Sequence, residues 1–302
     1  MHDHPSPNQN IIPLKKAILA IFFSVLLISG SSFLAFIYYQ HLKGKKSRDS
    51  TYQIVAVVQT CPHPEGLKTV FLTELLELSI DNPTNLYSFN SKEAQKKLLN
   101  CPAIKEASVR KIHPGTIHVD YTLRKPIAFL ADFTNTVIDD EGIPFPFKPI
   151  FTPKKLPEIY LGMQNSGPLQ LGKILQEERM VLAIELLDFL MGCCCDELST
   201  LCSVDVSKAF SLSFGQRQIV IVFEDRLERV IEGRHVFCIY PRILRLDPHH
   251  FHQQLSNYLV LRNHLRKLET AQLSAFTENN PYMKAIVIDL RLPELAFISK
   301  EI

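Results

Sequence analysis

The 302-residue sequence has no tryptophan and few glycines, with 11 glycines against 19 prolines. This balance favours a turn-rich body that contains strands over a bundle of long helices. The sequence also lacks a charge excess, because 33 basic and 31 acidic side chains leave a net charge of +2. Without a strongly basic surface, nucleic acid is not expected to be the main partner.

Catalytic signatures are also missing from the sequence. There is no nucleophile elbow, no phosphate-cradling glycine loop and no zinc-protease motif. The acidic run Asp139–Glu141 could supply a carboxylate pair for acid–base chemistry, but Gly142 follows it directly, which is typical of a turn. We therefore expect a protein that is not an enzyme and binds no cofactor.

The seven cysteines are odd in number and irregularly spaced, unlike the even framework of a small disulfide-stapled domain. By themselves they favour a reducing compartment. Cys193–Cys195 and Cys202 could indicate a metal site, but adjacent residues at a helix end point in different directions. The histidines at 249, 250 and 252 lack a further ligand at a recognisable spacing. Neither group is expected to bind a metal.

One long apolar run lies near the N-terminus. Residues 17–39 have the sequence AILAIFFSVLLISGSSFLAFIYY, without a charge. As a helix this run would span about 34 Å, enough to cross a hydrocarbon core of about 30 Å. A cleaved signal peptide is the alternative, but the run is longer than the usual apolar region of about 7–15 residues and no clean cleavage site follows. We predict a transmembrane helix at 17–39 behind a polar tail at 1–16.

The charges around this run leave its orientation open. Lys15 and Lys16 precede it, whereas basic residues at 43, 45, 46 and 48 follow it. The positive-inside rule alone would place the region after the run in the cytoplasm. Long domains are translocated largely regardless of nearby charge, however, so charge counting does not decide the orientation.

A polar linker at 40–50 is predicted to lead into a small module at 51–125. Asn90, with Glu93 three residues later, resembles a capping box at a helix start. The same helix should end before Pro102, because the residue before a proline avoids the helical region. The predicted elements are a strand at 52–58, a helix at 68–79, this second helix, and strands at 107–112 and 116–123. Their order predicts a small sheet with two helices on one face.

Residues 126–302 are predicted to form a larger, β-rich domain. Apolar stripes indicate helices at 173–191 and 249–268, and the alternating segment 226–246 has no clear strand limits. Strands are predicted at 127–133, 136–139, 201–207, 209–214, 218–224, 284–290 and 295–299. The fold class is therefore α+β, with an N-terminal transmembrane helix, a small βααββ module and a larger β-rich domain with flanking helices.

Several short motifs follow the apolar run, and both their residues and their order along the chain resemble those of a known family. They are Asn85–Phe89, Cys101–Arg110, His113–Ile117, Arg124–Ala128, Val137–Phe145 and Ile288–Arg291. Together they resemble the FtsQ family of bacterial cell-division proteins, called DivIB in other bacteria, which carries a POTRA module after one anchor helix. Leu123 and Leu292 depart from the family pattern, which usually has Glu and Tyr there.

This resemblance implies a scaffold of the cell inner membrane, located at the division septum. Its topology would be single-pass type II, with the tail in the cytoplasm and the C-terminal domains in the periplasm. The scaffold would link early and late division proteins of the membrane and help to control septal peptidoglycan synthesis. It would do so by binding the small coiled-coil pair FtsB (DivIC) and FtsL, without a small-molecule substrate.

The last two β-like runs are the predicted partner-binding site. If one of them forms a sheet edge, its free N–H and C=O groups could accept a partner strand. The candidate contact residues are Val287, Asp289, Arg291 and Phe297. The alternative is that both strands only complete the sheet and that Val287 faces the core.

Two other classes of function stay open at this stage. A POTRA-bearing component of a secretion or outer-membrane assembly machine would show tandem modules or a C-terminal barrel pattern, and neither is evident. A membrane-tethered cell-wall enzyme is disfavoured because no catalytic constellation is evident.

Overall fold

The computed structural model describes residues 14–164, 167–231, 234–271 and 283–300. Its helices are α1 (Leu14–Ser47), α2 (Thr69–Leu75), α3 (Ser91–Leu99), α4 (Glu178–Cys193) and α5 (Phe251–Ala271). Its strands are β1 (Ala56–Thr60), β2 (Ile104–Ile112), β3 (Thr116–Leu123), β4 (Ala128–Leu130), β5 (Thr136–Ile138), β6 (Pro144–Pro146), β7 (Glu158–Tyr160), β8 (Ser199–Asp205), β9 (Ile219–Ile231), β10 (Arg234–Leu246), β11 (Ile286–Asp289) and β12 (Phe297–Lys300). Most of the predicted tail lies outside the described residues.

The helix α1 contains the whole predicted apolar run and continues beyond it. It is 34 residues long, about 51 Å, so residues 40–47 of the predicted linker are helical. Among the described helices, α1 alone is long and apolar enough to cross a membrane. The hydroxyls of Ser24, Ser29 and Ser31 donate to carbonyls three residues earlier, at 2.8–3.1 Å. These bonds satisfy polar groups that would otherwise be unpaired in hydrocarbon.

The predicted β-α-α-β-β order of the small module is confirmed. Its sheet has the strand order β1-β3-β2, and β1 runs parallel to β3. Asn90 caps α3, because its Oδ1 accepts the N–H groups of Lys92 and Glu93 at 3.1 and 3.4 Å. The first strand lies four residues later than predicted, because residues 50–52 form a short 3-10 helix instead.

The larger sheet has nine strands in the order β12-β11-β10-β9-β8-β7-β4-β5-β6. Its longest pairing is the antiparallel ladder of β9 and β10, which starts at Ile231 opposite Arg234 and ends at Ile219 opposite Leu246. One face of the sheet is covered by α4 and α5. The fully buried side chains of this core include Leu186, Leu190, Ile221, Phe223, Leu244, Leu255 and Tyr258.

The structure corrects part of the predicted strand pattern in this region. The strand predicted at 209–214 is wrong, because this segment turns back on itself through bonds from the N–H of Ala209 to the carbonyl of Val206 and from Ser211 to Lys208. The strands β6 and β7 were not predicted. Each has only three residues, which is too short to show an alternation.

Two compact units are distinguished by their internal contacts. The first holds the chain up to Thr60 together with Thr69–Gln95 and Ser108–Asp120. The second holds Cys61–Lys68, Lys96–Ala107 and the chain from Tyr121. The domain limits given above for the small module and the β-rich domain stay a prediction.

The acidic run at 139–141 forms a turn, as its following glycine indicated. Asp139 is buried, and its Oδ1 accepts the N–H groups of Glu141 and Ile143 at 3.1 and 2.9 Å. Gly142 has a φ of 73°, and a Cβ there would lie 2.7 Å from Cδ1 of Ile184. Arg124 pairs with the remaining carboxylate oxygen of Asp139 at 2.6 Å. The role of Asp139 in the structure is therefore to hold this turn.

A buried group of charged side chains joins α5 to the larger sheet. Arg242 on β10 is fully buried and donates to both carboxylate oxygens of Glu269 on α5. Its Nε lies 3.3 Å from Asp225 on β9. Arg266, also on α5, reaches the other oxygen of Asp225 at 3.1 Å. Each buried charge thus has an opposite charge at hydrogen-bonding distance, which offsets the cost of its desolvation.

We expect Arg242→Met to destabilise the larger sheet by about 3–5 kcal/mol, because it removes the buried positive charge that pairs with both Glu269 and Asp225. Urea unfolding of the detergent-solubilised full chain measures this change. Lys154→Met is the control, since it removes a partly exposed pair with Glu65 at 2.7 Å. Its expected cost is below about 1 kcal/mol. Equal costs for the two variants would contradict the role given to Arg242.

Candidate partner-binding edge

The strand β12 ends the nine-stranded sheet. Its inner neighbour β11 runs parallel to β10, with Ile286 opposite Arg242, and antiparallel to β12, with Asp289 opposite Phe297. Within the described part of the chain, no strand pairs with the outer side of β12. Such a strand presents a row of unpaired backbone N–H and C=O groups.

Hydrogen-bond directions show which residues carry these groups. The N–H of Leu290 donates to the carbonyl of Arg245 at 2.9 Å, so the backbone N–H and C=O groups of the even-numbered residues of β11 point towards β10. The backbone groups of Val287 and Asp289 therefore point towards β12, because the N–H and C=O groups of successive residues point to opposite sides of a strand. Their partners on β12 are Ser299 and Phe297. It follows that the N–H and C=O of Ile298 point away from the sheet.

The four predicted contact residues have different environments. Val287 is 9% exposed and so offers little side-chain surface, whereas Phe297 is 59% exposed on the edge strand. Asp289 and Arg291 pair with each other at 2.7 Å, and Arg291 also donates to the carbonyl of Gly215 at 3.1 Å. The assignment of these four residues to a partner stays a prediction.

The Asp289 carboxylate is held in its charged form by this pairing. Partial burial disfavours ionisation of Asp289, but hydrogen bonds from the Arg291 side chain and backbone N–H outweigh it. The pKa of Asp289 therefore lies below its ordinary value. The pair remains charged at neutral pH and fixes the chain where it leaves β11.

A groove of about 920 Å³ lies beside the edge strand. It is bounded by the loop at 214–217, the first half of α5 and the segment 289–297. Asp289, Arg291 and Phe297 line this groove, but Val287 does not. The structure therefore brings three of the four predicted residues together.

Sequence reasoning missed the apolar residues of the same groove. Phe214, Leu292 and Leu295 line it and are 80%, 52% and 58% exposed. Leu292 and Leu295 lie in the segment before β12. Leu295 was included in the strand predicted at 295–299, but the strand begins only at Phe297. The one available signal was the density of apolar residues around Pro293 in a segment too short for an element of its own.

The cysteine and histidine clusters are dispersed in the folded chain. Cys193 is exposed at the end of α4, whereas Cys194 beside it is buried. His249 lies 3.4 Å from Arg217, and His252 lies 3.1 Å from Glu185 on α4. Among the described residues, no group of three or more His, Cys, Asp or Glu side chains could hold a metal ion.

The geometry of this edge suits recognition of an extended peptide. Backbone groups of β12 can pair with an added strand, and the adjoining groove can receive apolar side chains. Together with α1, which is long and apolar enough to cross a membrane, these features describe an α+β protein whose candidate site is a binding surface.

The model of the POTRA domain, FtsQ-type, matches residues 72–121, from within α2 to within β3. The chain therefore contains an FtsQ-type POTRA domain behind an apolar helix that could span a membrane, which is the combination expected of the FtsQ/DivIB family. This match confirms the resemblance drawn from the short motifs within residues 72–121, whereas the motifs at 124–128, 137–145 and 288–291 lie outside the matched region. The family is one of non-enzymatic scaffolds, and the match supports a role in cell division. No curated protein matches the chain.

Proposed function

We propose that this protein is an inner-membrane scaffold of the cell-division apparatus. In this role it links early and late division proteins and helps to control septal peptidoglycan synthesis. The observation that carries the proposal is the FtsQ-type POTRA match at 72–121, which follows a 34-residue helix that contains the apolar run at 17–39. The same match favours this role over a component of a secretion or outer-membrane assembly machine.

The proposed partners are FtsB (DivIC) and FtsL, bound by addition of a strand to β12. This mode is supported by the outward backbone groups of Ile298 and by the exposed ring of Phe297. Backbone pairing supplies affinity in such complexes, whereas pockets for alternate side chains supply specificity. The groove beside β12 offers such a pocket for an apolar side chain.

The proposed orientation places the tail in the cytoplasm and both folded units on the other side of the inner membrane. The motif resemblance supports it against the basic residues that follow the apolar run. Long domains cross the membrane largely regardless of such charges.

A fluorescent fusion to the N-terminus of the full chain is expected to concentrate at the septum of dividing cells. The control is the same fusion to residues 1–50, which retains the anchor without the POTRA domain and should label the membrane uniformly. Uniform labelling by the full chain throughout septation would contradict the proposed role.

Ile298→Pro is expected to weaken the binding of FtsB and FtsL by about 1–3 kcal/mol, because it removes an outward N–H that an added strand needs. The fold should persist, since proline is tolerated where its nitrogen faces away from an edge. Ile298→Ala is the matched control, because it removes the side chain and keeps the N–H. Affinities are measured with the solubilised full chain, and unfolding midpoints verify that both variants are folded. Equal affinities of the two variants would rule out strand addition at this position.

Cys193 reports the orientation, because its thiol is exposed whereas that of Cys101 is buried. In spheroplasts, a membrane-impermeant maleimide should label the wild-type chain, and Cys193→Ser should remove most of the label. Labelling of Cys193 only after detergent permeabilisation would place the folded units in the cytoplasm and overturn the proposed orientation.

A further inference from the structure

Basic side chains gather where α1 leaves the apolar run. Lys43, Lys45, Lys46 and Arg48 are all exposed there. Lys111, near the end of β2, is close enough to Lys43 for their charges to interact. We call these five residues the basic collar. All of them belong to the first compact unit, which contains both α1 and most of the POTRA domain.

The collar is assembled by hydrogen bonds between the end of α1 and the POTRA domain. The side-chain amide of Asn85 donates to the carbonyls of Lys46 and Asp49 at 3.1 and 3.0 Å. Lys46 lies in the last turn of α1 and Asp49 just after its end, and Asn85 gives each carbonyl a second donor besides the backbone N–H groups of Asp49 and Tyr52. The Lys46 ammonium also lies 5.4 Å from the ring centre of Tyr87. The domain is therefore bonded directly to the end of the anchor.

The length of α1 places the collar at the depth of the lipid headgroups. The apolar run ends at Tyr39, and tyrosine rings prefer the membrane interface. Lys43 follows four residues later, about 6 Å further along the helix. A headgroup layer is about 5–7 Å thick on each side of the hydrocarbon core. Lys43 thus lies within this layer when residues 17–39 fill the core, and Lys45 and Lys46 lie about 2–5 Å beyond it, within reach of their long side chains.

The charges of the collar are not neutralised within the described chain. No ion pair with a carboxylate is formed there by any of its five side chains. Lys111 has a pKa below its ordinary value, because its ammonium is partly buried and because the positive charge of Lys43 lies near it. Like charges held together in this way are stabilised by an external anion.

We propose that the basic collar binds the phosphate groups of anionic phospholipids in the leaflet next to the POTRA domain and seats this domain on the membrane surface. The membrane is the one partner that an anchored chain always meets at this position. The inference does not depend on the division role or on the orientation of the chain, because in both orientations the collar lies next to a lipid leaflet. It gives the basic residues after the apolar run a function other than setting topology.

The absence of tryptophan makes a direct test possible. Ile112→Trp adds a single reporter beside Lys111, at a position that is 47% exposed. The full chain is reconstituted in vesicles of phosphatidylcholine alone, or of phosphatidylcholine and phosphatidylglycerol in equal parts, with a trace of headgroup spin-labelled lipid as quencher. Stronger quenching is expected with phosphatidylglycerol. It should diminish in high salt, since the Debye length falls from about 10 Å at 0.1 M to about 3 Å at 1 M.

Replacing Lys43, Lys45 and Arg48 together by glutamine should shift the domain away from the surface. Each basic residue near an anionic membrane contributes about 1 kcal/mol, so the ratio of seated to unseated domain should fall about fivefold for each lost charge. Lys46 is retained because its side chain also contacts Tyr87.

Two controls separate lipid binding from loss of charge or fold. Lys68, Lys92 and Lys96 are exposed, and their joint replacement by glutamine removes the same charge elsewhere and should leave quenching unchanged. Lys43→Arg with Lys45→Arg keeps the charge and should keep the response to phosphatidylglycerol. Quenching that is equal in both lipid mixtures would overturn the proposal, as would equal losses in the two glutamine triples.

Discussion

The buried guanidinium of Arg242 is the constraint on which the C-terminal part of the sheet depends. It lies on β10 opposite the first residue of β11 and is bound from α5 by Glu269 and from β9 by Asp225. A buried charge of this kind is tolerated only with its partners in place. Formation of the cluster therefore requires α5, β9 and β10 to be correctly assembled together. The parallel pairing of β11, and with it the edge strand β12, is built on that assembly.

The binding properties proposed for β12 result from its position at the end of the sheet. Most strands of the larger sheet have both backbone sides bonded, so their surface consists of side chains. In β12 one row of backbone groups remains open, and the neighbouring groove places apolar side chains beside it. Asp289 and Arg291 neutralise each other at the start of the connecting segment, which removes an unpaired charge from the approach to this edge. The proposed mode of binding rests on this combination of open backbone and apolar surface.

At the other end of the chain, Asn85 has a comparable organising effect. By bonding the carbonyls of Lys46 and Asp49, it joins the POTRA domain to the end of α1, which continues as a helix into the segment predicted to be a polar linker. The proposed contact of the basic collar with anionic lipid follows from this junction. Scattered on a flexible linker, the same lysines would not be held together or at a defined depth.

The elements with a strong periodic signal were predictable from the sequence alone. The apolar run, the alternation of Ile117, Val119, Tyr121 and Leu123 on β3, and the cap of Asn90 on α3 are local features whose physics needs no distant partner. The short strands β6 and β7 and the ladder of β9 with β10 could not be delimited in this way, because strand ends are set by what lies alongside. The segment at 209–214 alternates like a strand but forms turns, since no neighbouring strand pairs with it.

The same division holds for the candidate functions. By itself the sequence determined the anchor helix, the α+β class and the FtsQ-like motifs, because hydrophobic length and local patterns survive without tertiary contacts. Only the tertiary structure decided that β12 is the edge, that Val287 is buried while Phe297 is exposed, and that Leu292 and Leu295 share a groove with Phe297. Exposure and strand order depend on contacts between residues far apart in the chain. The spacing of apolar residues within one segment does not reveal those contacts.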